Sequence, residues 1–246
     1  MDHGKKQGKL VIMYSLLGIC IAAMIFFAYG VIKELYVRGQ GKAFYTTLST
    51  SQPVTTTTKF TIDFETLREQ IPDVIAWIKC EDIGVDFPIV QGNDNDYYLG
   101  RLPNGESNYM GSIFMDYRNS ADFSDKNSLI YGHALTTGDM FTVIKNYQSQ
   151  AFYDDNPVFS LFTPEKDYEL VLFAGYILDS SIISEVPPIS FANEETLLRY
   201  LEEAQQRSTF WSNVGVDAND TLVTLATCAY PRSVYRYVLL GKLNDM

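Results

Sequence analysis

The hydrophobic positions of the chain form one long run near the N-terminus, followed by many short runs. Residues 10–32 contain no charged side chain, and this length is sufficient to cross a hydrocarbon core, which requires about 20 apolar residues. A cleavable signal peptide is the alternative, because Ala28 and Gly30 form a small-x-small site. The apolar region of such a peptide is only about 7–15 residues long, however. The pattern therefore favours a retained transmembrane anchor.

The charges that flank this run predict its orientation. Three lysines lie within residues 1–9, and an excess of Lys and Arg marks the cytoplasmic side of a membrane span. Lys33, Arg38 and Lys42 on the other side weaken this argument, so the orientation also rests on the need to expose the large C-terminal part to its substrates. We expect residues 1–9 to form a cytoplasmic tail and the part after the span to be extracellular.

Residues 33–58 show no apolar periodicity. They contain Gly39, Gly41 and a run of threonines at 55–58, and this composition is typical of a spacer. We therefore expect a linker or stalk at 33–58 and a folded domain at 59–246.

Within the folded domain, the short apolar runs are arranged mainly as in β-strands. Strands are predicted at 77–80, Val85–Val90, 111–114, 129–131, Asp167–Asp179, 221–228 and 234–240. Short helices are predicted at Phe64–Gln70, where Asp63 is a suitable N-cap, and at 141–147. A longer helix is predicted at 193–210, with Asn193 as its cap. Many short strands with one inserted helix favour a closed barrel over a parallel sheet.

Composition narrows the classes of function. The chain has a formal net charge of −11, whereas nucleic-acid binding requires a basic surface, so no nucleic-acid partner is expected. In residues 59–246 the candidate metal ligands of the His and Cys type are His133, Cys80 and Cys228, too few for a typical zinc site. We expect neither a metal nor an organic cofactor.

Cys228 ends one predicted strand, and Arg236 begins the next. Strand alternation puts Ala226 and Cys228 on one face of the first strand, and Arg236 and Val238 on one face of the second. The thiol and the guanidinium can therefore point into the same space. A thiol has a reference pKa of about 8.5 and needs a base at neutral pH. His133 is the histidine available for this role in the folded domain. Arg236 can stabilise an oxyanion, a contribution of about 3 kcal/mol.

Other interpretations of these residues remain open from the sequence. Cys20 lies within the predicted span and is explained as a small apolar residue. Cys80 is a core thiol or, in an extracellular domain, a disulfide partner of Cys228, although that bond would block the thiol. Arg232 competes with Arg236 because it is closer to Cys228 in the sequence.

Residues 224–228, Thr-Leu-Ala-Thr-Cys, resemble the TLxTC signature of sortases, with Tyr-Gly-His at 131–133 upstream and Arg236 on the next strand. A second block, which runs from Trp77 through 87–95 to Asp116, is similar to the class B sortases in particular. The resemblance covers approximately residues 60–243. It implies a mainly β fold: a closed eight-stranded barrel with N-terminal helices and with the 193–210 helix between the sixth and seventh strands.

The resemblance also implies roles for individual residues. The catalytic residues would be His133, Cys228 and Arg236, and the substrate-binding residues Asn95, Leu99, Tyr131 and Thr227. An Asx turn is an alternative explanation of Asn95 that involves no function. The family often has Ser two residues before the cysteine and an acidic or polar residue after it. Here these positions are Ala226 and Ala229, which departs from the family pattern.

The function implied by this resemblance is that of a membrane-anchored cysteine transpeptidase of a Gram-positive cell surface. Cys228 would attack a Thr–Gly or Thr–Asn type bond in the C-terminal sorting signal of a surface protein or pilin. His133 would protonate the departing amine, and Arg236 would hold the signal and its oxyanion. The resulting thioester would be resolved by an amine from a peptidoglycan precursor or a pilin lysine.

Two other functions remain as alternatives. An L,D-transpeptidase or related cell-wall cysteine enzyme would carry a Ser-His-Gly-Cys type element, which this sequence lacks. An anchored binding domain could have kept the barrel without its chemistry. Papain-like hydrolases are disfavoured because their cysteine precedes the histidine in the chain. The sequence leaves open the sorting motif, the acceptor amine and the choice between surface-protein anchoring and pilus assembly.

Overall fold

The computed structural model describes residues 3–51, 60–228 and 234–246. The chain forms two compact units, Met1–Phe44 and Tyr45–Met246. The first unit is part of helix α1 (His3–Ser51), whose large apolar side chains from Leu10 to Tyr36 are exposed. Among the described residues, this is the one helix that is long and apolar enough to cross a membrane, a test that a signal sequence near the N-terminus would also pass.

The last turns of α1 belong to the second unit and differ from the irregular spacer expected at 33–58. The helix continues to Ser51. Tyr45 and Leu48 are 6% and 2% exposed, and the Tyr45 hydroxyl donates a hydrogen bond of 2.7 Å to the Gly111 carbonyl. These two residues lie three apart, so they share one helix face, which packs on the folded domain. Residues 52–59 lie outside the described part of the chain, and the division into tail, anchor, linker and domain remains a prediction.

The predicted eight-stranded barrel is confirmed. Its strands are β1 (Val74–Cys80), β2 (Val85–Val90), β3 (Ile113–Met115), β4 (Asn127–His133), β5 (Val158–Phe162), β6 (Asp167–Asp179), β7 (Leu222–Cys228) and β8 (Tyr235–Asp245). They close in the order β1-β2-β3-β4-β7-β8-β6-β5. The pairs β2–β3 and β4–β7 are parallel. Strand β5 was not among the predicted strands, and β3 begins two residues later than expected.

After α1, the helices are short except for the one inserted between β6 and β7. They include α2 (Phe64–Gln70), a 3₁₀ segment (Phe141–Gln148), α3 (Gln150–Asp155) and α4 (Glu194–Arg207). Asp63 caps α2 by accepting a hydrogen bond from the Thr66 amide, and Asn193 caps α4 through a reciprocal bond pair with Thr196. The inserted helix therefore starts as predicted and ends three residues earlier.

One face of α4 covers the outside of the barrel. Leu197, Leu201 and Ala204 pack in a cluster with residues of β6, β7 and β8, including Ala226 and Val238. The alternate residues of the same strands, such as Leu225 and Leu239, are 0% exposed and face the barrel interior, because successive strand residues point to opposite sides. The outer face of β4, β7 and β8 therefore carries the candidate site.

Candidate active site

The ends of β4 and β7 bring the predicted histidine and cysteine together. The two strands run parallel and stay in register from Asn127 opposite Leu222 to His133 opposite Cys228. Neighbouring strands lie about 4.8 Å apart, so these two residues are adjacent in the sheet although 95 positions separate them in the sequence. The Cys228 side chain and residues 229–233 lie outside the described part, and with them the predictions for Ala229 and Arg232.

The imidazole of His133 is held by a backbone carbonyl. Its Nε2 lies 2.5 Å from the Leu99 oxygen, and because a carbonyl can only accept, Nε2 carries the proton. Gly111 makes this arrangement possible. It has a φ of +63°, and a Cβ atom at this position would lie 2.7 Å from both His133 Cδ2 and the Leu99 oxygen. Nδ1 is therefore the ring nitrogen that remains for proton exchange.

Arg236 reaches the same region from β8. Leu222 to Ala226 of β7 pair with Lys242 to Val238 of β8, and two further steps in this register lead to Cys228 and Arg236. The Arg236 Nε atom is buried and has no hydrogen-bond partner among the described residues. A buried donor without a partner costs about 1–3 kcal/mol, so a substrate carbonyl at this position would satisfy a donor that the protein leaves open.

These residues line a cleft of about 540 Å³. Its lining includes Leu99, Tyr131, His133, Arg236 and Asn95, together with apolar side chains of β3, β4, β6, β7 and β8 and of the β6–α4 connection: Phe114, Leu129, Leu178, Val186, Pro187, Ala226 and Val238. Apolar walls with a few convergent polar groups are typical of ligand sites. Of the four residues predicted to bind substrate, Asn95, Leu99 and Tyr131 line this cleft.

Thr227, the fourth, lies on the other side of the sheet. It is 1% exposed, and its Oγ1 accepts a hydrogen bond of 3.1 Å from the Tyr237 amide and donates one of 3.4 Å to the Tyr237 carbonyl. Because Ala226 lines the cleft, strand alternation turns Thr227 away from it. The substrate-binding role expected for Thr227 is therefore corrected to a structural role between β7 and β8.

Asn95 does not form the Asx turn considered for it. That turn is made by Asp94, whose Oδ1 accepts hydrogen bonds from the amides of Asp96 and Tyr97. The Asn95 side chain instead donates from Nδ2 to Asp116 Oδ2 at 3.0 Å and accepts at Oδ1 from the Tyr117 amide at 3.1 Å. Its carboxamide is thus fixed at both ends beside the cleft.

Asp116 is the central polar group behind the cleft. It ends the sequence block that resembles class B sortases, but the sequence predicts no role for it. Its side chain is 0% exposed. It accepts hydrogen bonds from Arg118 Nε at 2.9 Å, from Arg118 Nη2 at 2.8 Å and from the Tyr131 hydroxyl at 3.1 Å. Burial alone would raise the pKa of Asp116, but the hydrogen bonds from Arg118 and Asn95 outweigh burial and lower it.

The pKa of Tyr131 is shifted in the opposite direction from that of Asp116. Burial, followed by the neighbouring Asp116 carboxylate, raises the pKa of the Tyr131 phenol above its ordinary value. Tyr131 is therefore a neutral hydroxyl whose proton is directed to Asp116. No signal in the local sequence could have identified this network, because its members come from three separate segments.

The remaining thiols do not compete with Cys228. Cys20 is an exposed residue of α1. Cys80 is a free thiol, and burial, followed by the charge of Asp82, raises its pKa, which makes it a poor nucleophile. Within residues 3–51, 60–228 and 234–246, no three His, Cys, Asp or Glu side chains lie together as a metal site would require.

The chain is similar to proteins named sortase B. It is 36% identical over 182 residues to sortase B of Listeria monocytogenes serovar 1/2a. The aligned residues cover 72% of this chain and 72% of the relative. Its structure resembles that of the Staphylococcus aureus sortase B–substrate complex, with a TM-score of 0.71, 30% identity and coverage of 74% of this chain and 85% of the other. It also resembles a sortase B complexed with triglycine, with a TM-score of 0.74, 28% identity and coverage of 85% and 99%. No protein-family profile matches the chain.

Proposed function

This chain belongs to the class B sortases, a family of cysteine transpeptidases, and on that basis we propose that it cleaves a C-terminal sorting signal and transfers the acyl fragment to an amine. The observation that carries this proposal is the register of β4 and β7, in which His133 stands opposite Cys228. The open Nε donor of Arg236 in the adjoining cleft supports it.

The proposed reaction begins with transfer of the Cys228 proton to Nδ1 of His133. The thiolate attacks the scissile carbonyl carbon, and the electron pair moves to the carbonyl oxygen, where the Arg236 guanidinium stabilises the negative charge. The tetrahedral intermediate collapses to a thioester, while His133 returns the proton to the departing amine. Nε2 of His133 stays bonded to the Leu99 carbonyl throughout, which keeps the ring in one orientation and stabilises its charged form.

An amine then resolves the thioester by the same steps in reverse. It attacks the thioester carbonyl, His133 takes up the proton that the amine loses, and the Cys228 thiolate leaves. A related sortase B has been solved complexed with triglycine and another with substrate, which supports a peptide donor and an unhindered amine acceptor for this chain. We propose a peptidoglycan precursor or a pilin lysine as the source of that amine.

The proposed location follows from the N-terminal helix. Residues 10–32 would anchor the chain as a single span of the cell membrane, residues 1–9 would remain in the cytoplasm, and the barrel would act outside a Gram-positive-type cell. The length and apolar composition of α1 support a membrane span, and the three lysines within residues 1–9 support a cytoplasmic N-terminus.

The experiment uses the full-length chain in detergent with pools of candidate sorting peptides and with triglycine or a lysine peptide as acceptor. Mass spectrometry should detect a new amide product and, without acceptor, a thioester on Cys228. Cys228→Ala and His133→Ala should abolish both species, whereas Cys80→Ala, the matched thiol control, should keep them.

Three results would contradict the proposal. Full turnover by Cys228→Ala or His133→Ala would remove that residue from the mechanism. Binding of the peptides without any acylation of Cys228 would indicate a non-catalytic binding domain. Reaction with peptidoglycan stem peptides alone would indicate an enzyme of the L,D-transpeptidase type.

A further inference from the structure

The Asp116 carboxylate connects two residues of the cleft that come from different parts of the chain. Asn95 Nδ2 and the Tyr131 hydroxyl both donate to the same oxygen, Oδ2, at 3.0 Å and 3.1 Å. Asn95 lies before the 3₁₀ turn Tyr97–Gly100, and Tyr131 lies on β4. Their side chains therefore meet at one atom that belongs to neither segment.

Asp116 is itself held firmly. Arg118 binds it in a bidentate manner, through Nε and Nη2, and such a pair fixes geometry as well as charge. The turn that follows β3 is also anchored by the residue after β2, because Gln91 Nε2 donates to the carbonyls of Asp116 at 3.0 Å and of Asn119 at 2.7 Å. A buried carboxylate with this many donors has little freedom to reorient.

This arrangement decides which hydrogen-bonding groups face the cleft. The Tyr131 proton is directed to Asp116, so the phenol oxygen has its lone pairs left to accept a bond. The Asn95 oxygen is occupied by the Tyr117 amide and one Nδ2 hydrogen by Asp116, so the second Nδ2 hydrogen is left to donate. The cleft thus presents one acceptor and one donor side by side, which matches one N–H and one C=O of an extended peptide.

We propose that Asp116, with Arg118, is a positioning residue for substrate binding: it fixes Tyr131 as a hydrogen-bond acceptor and Asn95 as a donor toward the bound peptide. The proposal rests on the proposed function, since it concerns the peptide that the cleft would bind. None of the described hydrogen bonds of the Asp116 side chain involves the His133 imidazole, and its role is exerted through Asn95 and Tyr131.

The test is a double-mutant comparison in the full-length chain. Asp116→Asn should raise the KM for the sorting peptide at least tenfold and change kcat less than threefold, because Tyr131 and Asn95 can then reorient. In the background Asn95→Ala with Tyr131→Phe, the same Asp116→Asn change should alter KM less than twofold, because the residues it positions are absent. Arg118→Lys should have a smaller effect on KM than Arg118→Ala, since lysine keeps the charge but loses the bidentate geometry.

The matched control is Asp220→Asn. Asp220 forms an ion pair with Lys242, at 3.3 Å, near the other end of β7 and β8, and it does not line the cleft. This variant should leave KM unchanged, so a KM effect of Asp116→Asn cannot be ascribed to the loss of any carboxylate. Thermal unfolding should be recorded for every variant so that kinetics are compared only where the chain is folded.

Three outcomes would overturn the proposal. One is an unchanged KM in folded Asp116→Asn. Another is an effect of the same size in the Asn95→Ala, Tyr131→Phe background. The third, if Asp116→Asn does not fold, is a normal KM in Arg118→Ala, which keeps the carboxylate but removes its anchor. Failure of the proposed function is distinguishable, because the wild type would then yield no acyl product, whereas peptide binding to Cys228→Ala can still be compared by calorimetry with and without Asp116→Asn.

Discussion

The interior of the barrel and the cleft on its outer face are built from alternate residues of the same strands, and they differ in the side chains that they carry. On the inner side, Ile130, Leu225 and Leu239 are all 0% exposed. On the outer side, the neighbouring positions Tyr131 and Arg236 bring a phenol and a guanidinium into the cleft. On β4, β7 and β8 the inner side therefore contributes to stability, whereas the outer side also lines the cleft.

The two regions differ in whether a substrate can reach an unpartnered polar group. Inside the barrel, the Ser128 hydroxyl is fully buried and has no hydrogen-bond partner among the described residues, and it does not line the cleft. In the cleft, Arg236 Nε is buried without a partner among the described residues. An open donor is costly in an unliganded protein and useful when a substrate supplies the acceptor.

The largest effect on stability should come from the interior. Leu225→Ala removes a fully buried side chain from β7 and should lower the free energy of unfolding by about 2–5 kcal/mol, through lost burial and a residual cavity. Denaturant unfolding would measure this, and the activity per folded molecule should be unchanged. A large fall in kcat at full stability would contradict the division between the two faces.

The next effect concerns the cleft alone. Arg236→Ala should lower the rate of transpeptidation at least tenfold, because the donor to the oxyanion is lost, with little change in the free energy of unfolding. Steady-state kinetics with a sorting peptide would measure it. Arg232→Ala is the matched control and should lose little activity; the opposite ranking would transfer the role to Arg232.

The smallest expected effect is a pH dependence of stability, which should be present for Asp116→Asn and absent for Leu225→Ala in the apolar interior. The pKa of Asp116 is lowered in the folded chain, so its ionised form stabilises the fold above the pKa of an unfolded Asp, about 3.9, and this stabilisation is lost as the pH falls through the lowered folded value. The difference in unfolding free energy between wild type and Asp116→Asn should therefore shrink from pH 7 toward pH 2, as measured by denaturant titrations. Leu225→Ala should show a pH-independent difference, and a constant difference for Asp116→Asn would contradict this assignment.

Elements with strong local signals were predictable from the sequence. The β6 strand and the start of α4 were predicted correctly, because a long apolar alternation and a capping residue act within a few positions. Strand β5 was missed. It is a short strand that pairs with β1, which is distant in the sequence, and with β6, which follows it. Its extended conformation therefore depends on these two partners. The last turns of α1 were missed because Tyr45 and Leu48 become buried only against the folded domain.

The residues of the site also differ in whether the sequence predicted them. Cys228, His133 and Arg236 were selected from residue chemistry and a motif, since few residue types can carry this reaction and the folded domain contains few of them. Thr227 was misassigned because the motif does not state which face of the strand each residue takes. Asp116 went unnoticed because an acidic residue after a short strand normally indicates an exposed turn.

Motifs and short-range periodicity were sufficient to predict the class of chemistry, a closed barrel and most of its strands. The burial of Asp116, its hydrogen bonds from Tyr131 and Asn95 and the packing of the end of α1 on the folded domain became visible only in the three-dimensional structure. The physical reason is that hydrogen-bond direction and burial are properties of atoms brought together by the closure of the sheet, and chain position alone does not specify them.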